Sequence, residues 1–206
     1  PPIKIDSGEN IHIITGVSGE LLKVDNEINI IGNISKPFPS SITSSTIVGE
    51  IWIGAWVERE LREARMAALD INDDWLDGGL KSELRSGNVI LHPNSNIWSQ
   101  LLDAEPMGIS KIGETLCFSA KNKGIYRIDI DSNDIWRAEQ PQWNGIDENQ
   151  DIIIGFEETK EGLTLITQGG GVAIYDKNGI LIDKKLIKLP ELITGFSYDQ
   201  KLGWFF

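Results

Sequence analysis

Residues 113–141 read GETLCFSAKNKGIYRIDIDSNDIWRAEQP, and the fold of the whole chain follows from how this stretch is parsed. Leu116 and Phe118, then Ile125, then Ile128 and Ile130 alternate with polar residues at the two-residue period of a strand. Asn122-Lys123-Gly124 and Asp131-Ser132-Asn133 supply turn chemistry between the runs. The stretch is predicted to be a β-meander of three short strands, the last holding Ile135-Trp136.

The same unit recurs along the chain, restarting after successive prolines. After Pro2 come Ile3–Ile5, Ile11–Ile14, Leu21–Val24 and Ile28–Ile31, four strands a, b, c and d separated by turns at Ser7-Gly8-Glu9, Val17-Ser18-Gly19 and Asp25-Asn26. After Pro39 the pattern restarts with Ile42–Val48 and Ile51–Ile53, and after Pro106 with Ile109–Ile112 and the quoted stretch. After Pro141 it runs through Ile152–Ile154, Leu163–Ile166, Val172–Tyr175 and Ile180–Ile182, with an Asn178-Gly179 hairpin signal. After Pro190 come Leu192–Phe196, a turn at Asp199-Gln200-Lys201, and Trp204–Phe206.

Strand b starts at Ile11, Ile51, Leu116, Leu163 and Trp204, so spacings of 40, 47 and 41 surround one of 65. Four-stranded repeats of roughly 40–50 residues are the signature of propeller blades, and the prolines fall in the one connection per copy that is not a tight hairpin. The long gap marks an insertion of about 25 residues in the second copy. Two parses of that copy are open. Arg65–Asn72 serves as strand c with Trp75 in strand d, or Asn88–Leu91 and Ile97-Trp98 serve, which frees Val57–Leu69 to be a helix. The first is preferred, making Asp77–Gly87 and an Asn88–Trp98 hairpin the insertion. The predicted fold is all-β, a β-propeller segment of one domain with about four complete blades and a half blade, at residues 1–38, 39–105, 106–140, 141–189 and 190–206.

Two copies resemble the repeats of the pyrroloquinoline-quinone-type (quinoprotein dehydrogenase-like) propellers: an apolar strand, a Gly turn, an apolar strand ending in Asp, a turn, and Trp. Leu116–Ser119, Gly124–Asp129 and Trp136 match best, and Ile51–Gly54, Ala67–Asp70 and Trp75 match next. The resemblance implies the blade architecture. The family's dehydrogenases use a cysteine pair, a calcium site, a catalytic aspartate and eight blades. This chain has one cysteine and about four and a half blades, so the quinone chemistry is not carried over and no cofactor is expected.

Composition narrows the partners. Asp and Glu outnumber Lys and Arg by 31 to 19, and the formal charge of −12 repels phosphate backbones and anionic membranes, so no nucleic-acid partner is expected. No run approaches the eighteen or so apolar residues a membrane helix needs, so no membrane insertion is expected. The only cysteine, Cys117, sits in an apolar strand and reads as a small hydrophobe. The chain starts with two prolines and no methionine, as a processed or truncated piece of something longer would. Nothing in it assigns a compartment.

Candidate chemistry dissolves into repeat structure. Asp70–Asp74 and Asp129–Asp134 space oxygens as calcium loops do, yet an Asp followed closely by Asn recurs at the c–d turn of four copies, including Asp25-Asn26 and Asp176-Asn178. A feature of every blade is best explained by what every blade needs, an Asx-type turn. Glu9, Glu50 and Glu114 each follow a glycine in the a–b turn and are set aside as glycosidase carboxylates on the same ground. His12 and His92 have no nucleophile pattern nearby, and Gly169–Gly171 lacks the Lys-Ser/Thr of a phosphate loop.

Trp52, Trp75, Trp98, Trp136 and Trp204 are expected in the core. Trp143, in the d–a connection, is expected on a rim with Lys121, Lys123, Gln168, Lys36 and Phe38, because in propellers that connection and the b–c turn emerge on one face. The reading is therefore a non-enzymatic binding or scaffolding module for a protein or a small carbohydrate-like ligand, with a secreted hydrolase-type or quinoprotein-type propeller enzyme as the alternative. An incomplete ring would expose an apolar face at each end, so the ends are expected to meet each other or to be covered by a second chain.

Overall fold

Alternating runs become strands wherever the sequence allows both faces of a sheet to be used. The computed structural model describes residues 1–87, 90–146 and 152–206, and the chain falls into two units, Pro1–Pro106 and Met107–Phe206. In the first unit, β1 (Pro2–Ser7), β2 (Ile11–Gly16), β3 (Leu21–Asp25) and β4 (Ile30–Ser35) form one antiparallel sheet in chain order. A second is formed by β5 (Ile42–Val48), β6 (Ile51–Glu58), β7 (Glu63–Asp70) and β8 (Asn96–Leu102), with the helix α1 (Lys81–Ser86) between β7 and β8.

The second unit repeats the plan with β9 (Pro106–Ile112), β10 (Thr115–Ala120), β11 (Gly124–Ile128) and β12 (Asp134–Ala138) in its first sheet. Its next sheet contains β13 (Ile153–Thr159), β14 (Gly162–Thr167), β15 (Gly171–Tyr175) and β16 (Leu181–Leu186). A two-stranded sheet follows, β17 (Ser197–Asp199) and β18 (Gly203–Phe205).

Cross-strand partners share a face, so the registers show which residues point where. In the first sheet Asp6, Ile13 and Lys23 form a row toward the second sheet, and Ile5, Ile14 and Leu22 form a row on the opposite face. The difference in burial is large: Ile13 is 0% exposed and Ile5 60%. Between the two sheets a core gathers Ile13, Leu21, Trp52, Trp56, Leu69 and Trp75. Buried Asp6 completes this junction. Its Oδ2 accepts from Ser45 Oγ (2.5 Å) and Trp52 Nε1 (2.8 Å), and its Oδ1 lies 2.7 Å from Lys4 Nζ.

The second unit builds its junction from apolar groups. Phe156, Leu165 and Ala173 form a row on one face of the β13–β16 sheet, packed with Ile112, Cys117 and Ile125 of the β9–β12 sheet. Trp136 stacks on Tyr175 with ring centroids 6.2 Å apart. A polar tie between the inner strands is Phe156 N–H donating to Ser110 Oγ (3.0 Å). Cys117 packs here as a hydrophobe, 0% exposed, and burial pushes its thiol up to about 12.

The c–d turns carry one motif three times. Asp25 Oδ1 accepts from Glu27 N and Asn29 N, Asp129 Oδ1 from Asp131 N and Asn133 N, and Asp176 Oδ1 from Asn178 N and Ile180 N. The fourth turn residue has a positive φ each time: Ile28 at 65°, Ser132 at 69°, Gly179 at 80°. These aspartates are therefore spent on holding backbone, as expected of an Asx turn. Asp70 begins the same motif, accepting from Asn72 N, but there the chain opens into the insertion.

Four sequence expectations need correcting. Strand c of the second sheet is β7 as preferred, but strand d is β8, which contains Ile97 and Trp98, and not the segment at Trp75. Trp75 turns inward instead. Its Nε1 donates to Asp70 O (2.7 Å), and its ring packs 5.8 Å from that of Trp52. Residues 57–69, the alternative helix, are the β6–β7 hairpin, and the insertion supplies α1. Asn88 and Val89 of the expected insertion hairpin lie outside the described residues. Ile130 sits in the turn after β11, and Leu192–Phe196 precedes β17 and is not a strand.

Candidate functional site

The expected rim residues divide between the two units. Lys36 and Phe38 belong to the first, and the insertion covers them there. Lys36 N–H donates to Asp77 Oδ1 (2.7 Å), Gly78 N–H donates to Lys36 O (2.9 Å), and Asn94 N–H donates to Pro37 O (2.8 Å). The approach is so close that a Cβ on Gly78 would lie 1.9 Å from Pro37 O. Phe38, expected as an exposed binding aromatic, is 3% exposed and packs edge-on against Trp56 at 5.9 Å, with Leu84 of α1 in the same core. The insertion is pinned by Lys81 Nζ at 3.2 Å from Glu58 Oε2 and by an Arg85–Glu60 ion pair.

The remaining candidates lie in the second unit. Lys121 and Lys123 are exposed in the β10–β11 turn, where Lys123 N–H donates to Ala120 O (2.9 Å). Gln168 is half-buried after β14, its N–H donating to Ile152 O and its carbonyl accepting from Ile193 N, both 2.8 Å. Trp143 is half-buried, its ring lying where a Cβ on Gly171 would come within 2.8 Å. Trp143 and Gln168 thus both border the β14–β15 turn. Among the described residues no hydrogen bond or ring contact joins Lys121 or Lys123 to them.

A concavity of this unit lies elsewhere, on the face of the β13–β16 sheet turned away from Phe156. Here Gly155, Ile166, Val172 and Lys185 form one cross-strand row and Glu157, Thr164 and Ile174 another. Phe196 lies against Gly155, where a Cβ would come within 2.5 Å of its ring. Trp204 follows, 5.9 Å from Phe196, 4.7 Å from Tyr198 and 6.3 Å from Phe206. Between this aromatic row and the sheet runs a cleft of about 340 Å³, with Ile166, Val172, Ile174 and Lys185 on one side and Tyr198, Trp204 and Phe206 on the other.

A second, more polar cleft of about 470 Å³ adjoins it, sharing Thr159 and Lys160 and adding Lys111, Glu157, Glu158 and Gln200. Burial lifts the Glu157 carboxyl above its ordinary range, and the neighbouring Glu158 charge adds to the shift. Volumes of this size suit a few side chains or a small ligand. One end offers aromatic faces and aliphatic floor, the other lysine ammonium groups and carboxylates. The arrangement can hold an apolar group and orient a polar one beside it.

Sequence reasoning placed Trp204 in a strand and missed this site. Lys160, Tyr198 and Phe206 carry no local signature, and what unites them is the return of the last hairpin onto the neighbouring sheet.

No family model matches the chain, and no curated protein matches it. Solved structures do. The β-propeller domain of Myceliophteria thermophila Cps50 (Swd1) aligns over 98% of this chain and 62% of its own, at 12% identity and TM-score 0.62. BBS1N, solved in complex with ARL6DN, aligns over 96% and 57% at 12% identity and TM-score 0.55. BamB from Moraxella catarrhalis aligns over 89% and 52% at 14% identity and TM-score 0.52. The fold is a β-propeller with about four blades of four antiparallel strands. The chain spans between about half and three fifths of the length of these proteins.

Proposed function

We propose that this chain is a β-propeller module that binds a protein partner and serves as a scaffold. The observation that carries the reading is a division of labour among its side chains. The aspartates that looked chemically capable are bound to their own turns, as with Asp25, Asp129 and Asp176, whereas Tyr198, Trp204, Phe206, Lys160 and Lys185 line an open cleft. Aromatic residues bordered by cations are the composition of an interaction surface. BBS1N, a similar propeller, was solved with the protein ARL6DN, which supports a protein ligand for this fold. The pyrroloquinoline-quinone-type repeat is the family reading we favour, as architecture alone.

Selection of a random peptide library against the 206-residue chain tests the proposal. Binding peptides are expected to lose at least about tenfold in affinity on Trp204→Ala, which is about 1.4 kcal/mol, and to be unaffected by Lys121→Ala. Failure to enrich any peptide, or enrichment indifferent to Trp204, overturns the reading. Displacement of the peptides by a soluble oligosaccharide moves it to a carbohydrate ligand. A second proposal is self-association with another copy through the first sheet, which leaves Ile3, Ile5 and Ile30 exposed. Concentration-independent sedimentation as a monomer would remove it.

A further inference from the structure

We propose that Arg65 of β7 anchors a binding site for a small oxyanion of the carboxylate or phosphate class. The inference goes beyond the binding-module reading and does not depend on the aromatic cleft. Four charged side chains are buried among the described residues: Asp6, Lys23, Glu58 and Arg65. A buried charge is costly unless it is paired and hydrogen-bonded, and three of the four are. Asp6 meets Lys4, Ser45 and Trp52, and Glu58 meets Lys81 and Ser40. Lys23 donates to the carbonyls of Ile71 and Asp73, with the charges of Asp70, Asp73 and Asp74 acting on it.

Arg65 is the exception. It is 4% exposed and lies directly opposite Trp56 of β6, with its guanidinium carbon 5.9 Å from the centre of the Phe38 ring. Both of its hydrogen bonds leave from one nitrogen, Nη1, which donates to Ser99 Oγ (3.0 Å) and to His92 Nδ1 (3.3 Å). Among the described residues no carboxylate pairs with it; the charge of Glu63 acts on it without an ion pair, against a burial that holds the group below the ordinary arginine range. The two residues of this unit outside the description, Asn88 and Val89, are uncharged.

The nitrogens left over have a shape. Nε and Nη2 make no hydrogen bond among the described residues, and their N–H groups form the parallel fork that takes two oxygens of a carboxylate or a phosphate. Nε is sealed from solvent and Nη2 is not, so an anion approaches along Nη2. Cross-strand partners share a face, and on this one the Trp56 indole N–H is a further buried donor without a partner among the described residues. The unused polar atoms of Arg65 and Trp56 are therefore donors alone, which suits an anion and rejects a cation.

Titration of sodium phosphate, and separately of sodium acetate, into the isotope-labelled 206-residue chain at constant ionic strength is the test, with sodium chloride as the reference. The Arg65 Nε–H and Trp56 indole N–H resonances are expected to shift saturably in the millimolar range, and the tighter of the two anions names the ligand class. The formal charge of −12 repels anions in general, so a saturable response at one arginine does not come from diffuse attraction. Arg65→Lys keeps the charge and loses the fork; followed at the Trp56 indole, it is expected to weaken binding at least about tenfold, which is about 1.4 kcal/mol. The titration of the unaltered chain decides the matter even if that variant does not fold. No saturable shift with either anion, an equal shift with chloride, or undiminished binding in Arg65→Lys each overturn the site.

Discussion

The two units join their sheets in opposite chemical styles on one strand plan. Between the first and second sheets, a buried carboxylate ties Lys4, Ser45 and the Trp52 indole together, and Lys23 donates to Ile71 O (3.1 Å) while lying 4.8 Å from the centroid of Trp75. In the second unit Phe156, Leu165, Tyr175 and Trp136 meet with Ser110 as a polar tie, and among the described residues the Trp136 Nε1 and Tyr175 OH have no hydrogen-bond partner. The lesson is that the four-stranded repeat fixes where sheets face each other and leaves the chemistry of the contact free. A polar junction is specific in its pairing and fails when one member is lost; an apolar junction fails in proportion to the volume removed.

Mutations at each junction test that distinction. Asp6→Ala removes the acceptor common to three donors and is expected to cost about 3–5 kcal/mol, because the buried Ser45 hydroxyl and Trp52 indole are each left without it at about 1–3 kcal/mol apiece, while the half-exposed Lys4 keeps the Ser45 carbonyl. Hydrogen exchange measured strand by strand should show the loss in β1–β8, with β9–β16 keeping its protection. Equal loss in both units would mean that the junctions do not act separately. Trp136→Ala is expected to cost about 3 kcal/mol through the cavity left against Tyr175. A conservative Trp136→Phe should recover most of it, since its indole N–H has no partner to lose among the described residues. The chemical denaturation midpoint of each variant gives the comparison.

The turns common to both units give smaller effects. Ile28 is a β-branched residue at φ 65° and is 75% exposed, so Ile28→Asn relieves backbone strain without loss of burial. A gain of about 1 kcal/mol is expected in thermal denaturation. The equivalent Gly179→Ala should destabilise, because its Cβ would come within 2.6 Å of the Trp136 ring as well as meeting the φ of 80°. Acid should act on the same turns. The Asn29 side chain holds the Asp25 carboxyl below its ordinary range, and the Asn133 side chain and the Ile180 amide do the same for Asp129 and Asp176. A depressed folded value means that the stabilisation is present above about pH 4, the unfolded range, and is lost as pH falls through the folded values. Amides of Asn29, Asn133 and Ile180 should lose protection below about pH 4 before the strand centres do, and unchanged protection there would contradict the assignment.

Much of the fold was legible because it is local. Leu116, Phe118 and Ile125 alternate with polar neighbours, and the Asp25, Asp129 and Asp176 turns recur at one place in the repeat. The insertion was legible as a length and not as a path. Trp75 looked like the residue that ends a blade, yet Trp52 and the carbonyl of Asp70 drew it inward, and strand d formed about twenty residues later at Asn96. Phe38 failed as a rim residue for the same reason, since α1 and the segment at Gly78 close over it.

By itself the sequence determined the strand period, the turn chemistry, the acidic balance and the repeat, because each depends on residues a few positions apart. Tertiary structure alone decided that Trp98 and Trp204, unlike Trp52, Trp75 and Trp136, stay only half-buried, how the insertion packs over Lys36 and Phe38, and where the open cleft lies. Those outcomes depend on which distant surfaces meet: Leu84 on Phe38 in one unit, and Trp204 over the sheet that holds Ile174 in the other. Burial is a property of such meetings, and no window of neighbouring residues contains it.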